Sequence, residues 1–212
     1  MQSSNPPAPP AAPSGPGISP GQALQRLLDG NKRYAGNRTQ HADDPAARRL
    51  ALATAQHPFA CILGCADSRV PVELVFDQGL GDLFVVRVAG NIAADTTVLA
   101  SIEFAVAEIG VPLVVVLGHE GCGAVAATLA ALQGTAVPGH LDALVRAIRP
   151  AVAASGHGLG DALDNVVRAN VSLVTRGLRE SDPLLRPAVQ AGRLQIVGAR
   201  YNLTSGLVDV IA

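Results

Sequence analysis

The chain has 212 residues, of which 49% are hydrophobic, 16% charged and 3% aromatic, and its net charge is −1. This length and composition predict one domain with a large core. The small net charge and the lack of tryptophan argue against a nucleic acid or an anionic membrane as partner, and no apolar run approaches the ~20 residues of a membrane span. Three cysteines do not make a disulfide framework and suit metal binding or a reduced environment.

The first 18 residues are rich in proline, serine, alanine and glycine. Such a segment cannot bury apolar surface, so residues 1–18 are predicted to form a flexible tail and residues 19–212 the folded domain. Ser19 and Pro20 are typical of a helix start, with serine at the N-cap and proline in the first turn. The tail lacks the basic start and apolar core of a signal peptide, which favours a cytoplasmic protein. The alternative is a protein exported to the periplasm or cell surface, if a leader preceding the tail was removed.

From residue 59 onward, short apolar runs alternate with longer segments of helical periodicity. The short runs are rich in valine and isoleucine without strict alternation, which is typical of strands covered on both faces. The predicted strands are 59–64, 83–88, 112–117 and 194–199, and the predicted helices are 95–109, 122–133, 140–154 and 159–180. This order predicts an α/β fold in which a parallel central sheet is flanked by helices and preceded by an N-terminal helical arm.

Three residues with zinc-binding side chains follow two of these strands. Cys65 comes directly after the first strand, and His119 and Cys122 follow the third, where the chain passes from strand into helix. Because ligands of such sheets bind at the carboxyl ends of the strands, the three side chains are expected to share one site. Two thiolates and one imidazole leave a fourth position open, which is typical of catalytic rather than structural zinc. Cys61 lies mid-strand without a motif and is predicted to be a buried core thiol.

These ligand motifs and three further segments resemble the β-class carbonic anhydrases. The similar segments are Cys65-Ala66-Asp67-Ser68-Arg69-Val70, His119-Glu120-Gly121-Cys122-Gly123, residues 81–91, residues 101–106 and residues 198–201. The resemblance runs from about Ser19 to the C-terminus and implies that residues 19–212 are a zinc-dependent catalytic domain. It implies one zinc per subunit and an obligate homodimer that often pairs into a tetramer. The reaction implied is that of a lyase, carbonate dehydratase, which converts CO2 reversibly into bicarbonate and a proton.

Carried over residue by residue, the resemblance makes Cys65, His119 and Cys122 the zinc ligands. It makes Asp67 and Arg69 a dyad, in which Arg69 holds Asp67 away from the metal in the active form. In a closed form seen in some members, Asp67 itself binds zinc. Zinc lowers the pKa of a bound water, and attack of the zinc-bound hydroxide on CO2 is the expected chemistry. Asp67 is expected to accept the hydrogen bond of that hydroxide, while Arg69 makes a forked contact with Asp67 that lysine would not copy.

Three further residues are expected at the substrate. Gln56 and Phe84 match positions that line the family's substrate pocket, which forms at the dimer interface. The amide of Gln56 can stabilise developing negative oxygens, and an apolar surface near Phe84 suits a small nonpolar gas. Gly123 allows close approach of the backbone at the start of the predicted helix.

The chain departs from the family at three positions. Phe104 stands where many members carry tyrosine, so any role of that hydroxyl is absent. Ile62 stands where bicarbonate-inhibited members carry tryptophan, which argues against that regulation. Glu120 replaces a more usual serine or threonine, and the sequence does not indicate what it changes. Two alternative functions stay open: a related zinc hydrolase of CS2 or COS, and a non-catalytic zinc-stabilised binding protein, against which the presence of Asp67 and Arg69 argues.

Overall fold

The computed structural model describes residues 17–40, 45–156 and 160–212 of the chain. The predicted tail lies outside these ranges except for Gly17 and Ile18, and Ile18 is partly buried against the core. Within the described ranges, the structure contains no helix that is long and apolar enough to span a bilayer.

The described residues form eight α-helices and five strands. The α-helices are α1 (Pro20–Ala35), α2 (Pro45–Ala51), α3 (Val72–Val75), α4 (Thr96–Phe104), α5 (Gly123–Leu132), α6 (Asp142–Ser155), α7 (Ala162–Arg179) and α8 (Leu185–Gln190). The strands are β1 (Ala60–Gly64), β2 (Leu83–Arg87), β3 (Leu113–His119), β4 (Gln195–Tyr201) and β5 (Val208–Val210). Short 3-10 turns cover Ala89–Asn91 and Gly139–Leu141.

All five strands join in one sheet, in the order β2-β1-β3-β4-β5. Strands β1 to β4 run parallel, with Cys61 on β1 opposite Phe84 on β2 and Val114 on β3. Every residue of β1 and β3 is buried, because helices cover both faces of the sheet. The predicted α/β fold with a parallel central sheet is confirmed. The sequence did not predict β5, which runs antiparallel to β4 and has only Val208 buried among its three residues.

Helix α1 begins where the sequence predicts. The Ser19 hydroxyl accepts a hydrogen bond from the Gln22 N–H at 3.2 Å, and the Gln22 side chain accepts one from the Ser19 N–H at 2.8 Å. This reciprocal capping box, with Pro20 in the first turn, fixes the helix start. Ala23 and Leu27 are fully buried against one face of the sheet, so α1 is part of the core.

The helix predicted over 95–109 forms in two parts. Helix α4 ends at Phe104, and residues Ala105–Ile109 continue as a wider π-helical turn. Gly110 closes this turn with a φ of 80°, a left-handed conformation that favours glycine.

Helix α7 lies behind the central strands on the other face of the sheet. It packs against β3, β4 and α6, and its buried side chains include Val167 and Val171. A Cβ on Gly118 of β3 would meet Val171 at 2.4 Å, so helix and strand are in close contact next to His119. The position of α7 therefore bears directly on the residues at the end of β3.

Candidate metal centre

The three predicted ligands meet at the carboxyl ends of two neighbouring strands. Cys65 directly follows β1, His119 is the last residue of β3, and Cys122 is the N-cap residue of α5. Because β1 and β3 are adjacent and parallel, their carboxyl ends lie side by side. One ligand atom from each of the three residues lies within 4.8 Å of the other two, and all three residues are buried. This group can hold a metal ion.

His119 presents one ring nitrogen to this group. Its Nδ1 atom lies 2.9 Å from the carbonyl oxygen of Glu120, which can only accept, so Nδ1 carries the proton and donates it. The Nε2 atom is then an acceptor, and it is buried without a hydrogen-bond partner. A buried acceptor without a partner is costly, and a metal ion at Nε2 removes that cost. The donors present therefore fit a metal.

The side chains of Cys65 and Cys122 are hydrogen-bonded to each other. The hydrogen bond from Cys122, together with the weaker one from the Gly90 N–H, holds the pKa of Cys65 well below its ordinary value despite the opposing effect of burial. The hydrogen bond to Cys65, together with burial, raises the pKa of Cys122 far above its ordinary value. Two adjacent buried thiolates repel each other, and a cation bound between them allows both to ionise.

Asp67 and Arg69 form a forked ion pair beside the ligands. Arg69 Nε donates to Asp67 Oδ1 at 3.0 Å, and Arg69 Nη2 donates to Asp67 Oδ2 at 2.7 Å. The backbone N–H of Arg69 donates to Oδ1 as well, at 2.9 Å. The Arg69 guanidinium holds the pKa of the Asp67 carboxyl far below its usual range. Asp67 Oδ2 stays 3.8 Å from His119 Nε2, so the carboxylate is turned to the arginine while remaining next to the ligand group.

Arg87 supports the loop that carries Cys65 and Asp67. Its Nε donates to the carbonyl of Cys65 at 3.0 Å, and its Nη2 donates to the carbonyl of Asp67 at 2.6 Å. Sequence reasoning gave Arg87 no role. The available signal is a charged residue at the carboxyl end of an otherwise apolar strand, in register with Gly64 at the end of β1.

Glu120 joins the end of β3 to the loop after β4. Its Oε2 accepts a hydrogen bond from the Leu203 N–H at 3.1 Å, and its Oε1 lies 3.7 Å from Arg200 Nη2. Arg200 in turn pairs with Asp164 of α7 at 2.5 Å. The side chain of Glu120 thus links the backbone next to His119 to strand β4, through Arg200, and to the loop after β4, through Leu203.

The three residues expected at the substrate are open in the single chain. Gln56 is exposed in the segment before β1, and Phe84 is partly exposed on β2, with its ring centroid 6.2 Å from that of Phe104. Gly123 opens α5, and a Cβ built there would meet no atom within 4 Å. A pocket formed by these residues with a second subunit stays a prediction.

Cys61 does not join the metal group. It is fully buried in the core between β2 and β3, and burial raises the pKa of its thiol to about 12. It is the core thiol that the sequence predicts.

The comparisons with known proteins point to one family. A sequence model of the family described as carbonic anhydrase matches residues 60–208. Carbonic anhydrase 2 of Mycobacterium tuberculosis is 41% identical over 192 residues, which cover 90% of this chain and 92% of that protein. The carbonic anhydrase of Mycolicibacterium smegmatis is 40% identical over 196 residues, covering 92% of this chain and 95% of that protein.

Solved structures are similar over the same extent. A β-carbonic anhydrase of Coccomyxa, solved in complex with acetazolamide, superposes with a TM-score of 0.71 at 29% identity, covering 89% of this chain and 86% of that one. One of two β-carbonic anhydrases of Sordaria macrospora, described as tetrameric, gives a TM-score of 0.72 at 25% identity, covering 90% of this chain and 98% of that one.

Proposed function

The chain belongs to the β-class carbonic anhydrases, the lyases that interconvert CO2 and bicarbonate, and we propose that Cys65, His119 and Cys122 hold the zinc ion on which this reaction depends. A zinc ion at this position supplies Lewis-acid activation of water near neutral pH. Two thiolates and one imidazole suit zinc, and three protein donors leave a position for the reacting molecules.

One observation carries the assignment. The three donor atoms lie within 4.8 Å of one another, and the His119 Nε2 among them is buried without a hydrogen-bond partner. The Glu120 carbonyl fixes the tautomer that leaves Nε2 free to bind. Asp67 Oδ2 lies 3.8 Å from this nitrogen, which is beyond hydrogen-bond distance.

Asp67 orients the nucleophile in this proposal. Its Oδ2 faces the ligand group and accepts a hydrogen bond from the attacking water, which aims the oxygen lone pair at the carbon of CO2. Its low pKa keeps the side chain ionised at neutral pH, so it acts as an acceptor rather than as a proton donor. The forked contact with Arg69 keeps the carboxylate out of the position that the reacting water needs. Loss of Arg69 would free Asp67 to bind the metal and block the reaction.

The substrate pocket is completed by a second subunit. Gln56 supplies an amide N–H that donates a hydrogen bond to the developing negative oxygens of the substrate. Phe84 lines the pocket with apolar surface, and Gly123 leaves space for the substrate at the start of α5 because it has no side chain. Strand β2, which carries Phe84, is at the edge of the sheet, and the neighbouring Phe104 is 50% exposed. An exposed apolar edge of this kind is suited to pairing. A homodimer, or a tetramer like that described for Sordaria macrospora, is therefore proposed.

The experiment compares two cysteine substitutions. Wild type, Cys122→Ala and the matched control Cys61→Ala are purified, their zinc content is measured, and CO2 hydration is followed by stopped flow. Wild type and Cys61→Ala should carry one zinc per chain and be active, because Cys61 is a core thiol apart from the ligand group. Cys122→Ala should lose zinc and activity together.

Three results would contradict the proposal. A Cys122→Ala protein with full zinc and full rate would remove Cys122 from the ligand set. A zinc-loaded wild type that hydrolyses CS2 or COS but does not hydrate CO2 would favour the related hydrolases, and one inactive on all three substrates would favour a binding protein.

A further inference from the structure

The turn after β2 donates a hydrogen bond to one of the proposed ligands. The backbone N–H of Gly90 lies 3.3 Å from Cys65 Sγ, and both residues are buried. Hydrogen bonds to a metal-bound thiolate fix its position and withdraw charge from the sulfur, so they tune both affinity and Lewis acidity. The orientation of the Gly90 N–H therefore affects the affinity and the Lewis acidity of a metal ion bound to Cys65.

Gly90 does not fix that direction by itself. Its φ of 73° is a left-handed conformation that glycine adopts at little cost, and a Cβ there would meet the Ile148 side chain at 2.8 Å. The left-handed conformation therefore favours glycine, and a larger residue would also displace the end of the Ile148 side chain. Glycine also has more backbone conformational freedom than any other residue, so hydrogen bonds from other residues are needed to fix the orientation of its two peptide groups.

The peptide group that follows Gly90 is held at both ends. The Asn91 N–H donates to the Val88 carbonyl at 2.9 Å, and the Gly90 carbonyl accepts from Asn170 Nδ2 at 2.9 Å. Asn170 is on α7, 80 positions away along the chain, and is 3% exposed. A buried hydrogen bond is strong because no water competes for its partners. With this peptide fixed, rotation about the Gly90 backbone is restricted and its N–H stays on Cys65 Sγ.

We propose that Asn170 is a positioning residue for the metal site, acting through Gly90 to hold the N–H···S hydrogen bond on Cys65. Asn170 touches neither substrate nor metal in this scheme. The inference rests on the proposed function, because it requires a metal ion on the Cys65 sulfur. It adds a part of the site that lies on α7, far in sequence from the ligand motifs.

The substitution that tests this is Asn170→Leu, which keeps side-chain size and removes the donor. The freed Gly90 peptide should let the N–H···S contact lengthen and leave more charge on the sulfur. Zinc affinity, measured by competition with a chelator, should fall about 10-fold or more, as for other outer partners of metal ligands. In Co(II)-substituted protein, the sulfur-to-cobalt charge-transfer band should move to longer wavelength. The acid limb of kcat/KM should move to higher pH with KM little changed, because a more electron-rich sulfur weakens the Lewis acid.

Asn31→Leu is the matched control. Asn31 is 2% exposed, and its amide bonds the backbone of Val75, Gly206 and Val208, none of which belongs to the ligand group. Its loss should lower thermal stability and leave zinc affinity and the cobalt band unchanged. If Asn170→Leu behaves as this control does, Asn170 has only a structural role and the proposal is overturned.

A measurement on wild type covers the case in which Asn170→Leu does not fold. In protein loaded with ¹¹³Cd, the amide proton of Gly90 should show scalar coupling to cadmium through the sulfur, and this amide should exchange slowly. Absence of the coupling in a folded, cadmium-loaded protein overturns the proposal. A wild type that binds neither zinc, cobalt nor cadmium instead overturns the proposed function, so the two failures are distinct.

Discussion

Gly118 provides a test of how tightly α7 is packed behind the site. In Gly118→Ala, the new Cβ would lie 2.4 Å from Val171 Cγ2 and 3.3 Å from Val167 Cγ1. Carbon atoms pack best at about 3.5–4.0 Å, so α7 must retreat from β3 by about 1 Å. Both valines are buried and β-branched, so they cannot rotate away.

The expected cost is that of overpacking, about 1–3 kcal/mol in the free energy of unfolding. For a chain of this size, each kcal/mol lowers Tm by about 2–4 °C. The retreat of α7 also moves Asn170, so zinc affinity should fall in the same variant. The assay is thermal and urea unfolding at one fixed protein concentration, because an oligomer's apparent stability depends on concentration.

Two comparisons make the result specific. Gly177→Ala makes the same substitution within α7, where a Cβ meets no atom within 4 Å, and should be neutral or stabilising by about 0.5–1 kcal/mol. In a Val171→Ala background, Gly118→Ala should cost less, with a coupling energy of about 0.5–3 kcal/mol. A Gly118→Ala protein as stable as wild type, or an equal cost in both backgrounds, would refute the reasoning.

The remaining predictions concern the pH dependence of the rate, the Asp67–Arg69 dyad, Glu120 and the N-terminal tail. Wild-type kcat/KM should rise from about pH 6 to 9, because two thiolates leave zinc a weaker Lewis acid than three imidazoles do; a flat profile would contradict this. Arg69→Ala should lower kcat/KM because Asp67 is freed. Arg69 lowers the pKa of Asp67 in the folded state. The ion pair therefore contributes its full stabilisation above the unfolded-state pKa of about 3.9, and this contribution is lost as the pH falls through the folded-state pKa. The difference in the free energy of unfolding between wild type and Arg69→Ala should thus be constant from about pH 6 to 9 and become smaller in acid. Glu120→Ala should cost about 0.5–1.5 kcal/mol of stability by removing the acceptor of the Leu203 N–H, while Glu120→Gln should recover most of it; equal loss in both variants would show that the charge, not the hydrogen bond, matters. Deletion of residues 2–16 should leave CO2 hydration and Tm nearly unchanged, and a large loss of either would show that this segment packs on the folded domain or on a neighbouring subunit.

The parts of the site that the sequence predicts are those attached to strand ends. Cys65 and His119 follow continuous apolar runs, and adjacent parallel strands bring their ends together without any further information. The Ser19 cap and the start of α1 are likewise local, because the capping box involves residues three positions apart. Strand ends and helix caps of this kind can be predicted from the sequence because they depend on residues close together in the chain.

The parts that the sequence does not predict depend on contacts between distant residues. Asn170 reaches Gly90 from a different helix, and Glu120 bonds Leu203 across 83 positions, so neither contact leaves a periodic signal. Strand β5 has too few buried residues for a pattern, and its pairing with β4 depends on the turn after Tyr201. The sequence around Arg87 is that of an ordinary strand end, and its role becomes visible only from its hydrogen bond to the loop that carries Cys65.

The central claim is that Cys65, His119 and Cys122 hold one zinc ion, and X-ray absorption at the zinc edge of the purified protein tests it most directly. The account predicts one zinc per chain with two sulfur ligands at about 2.3 Å and one imidazole nitrogen at about 2.0–2.1 Å, together with a light atom in the remaining position. A zinc shell without sulfur, or one with a single sulfur ligand, would contradict it.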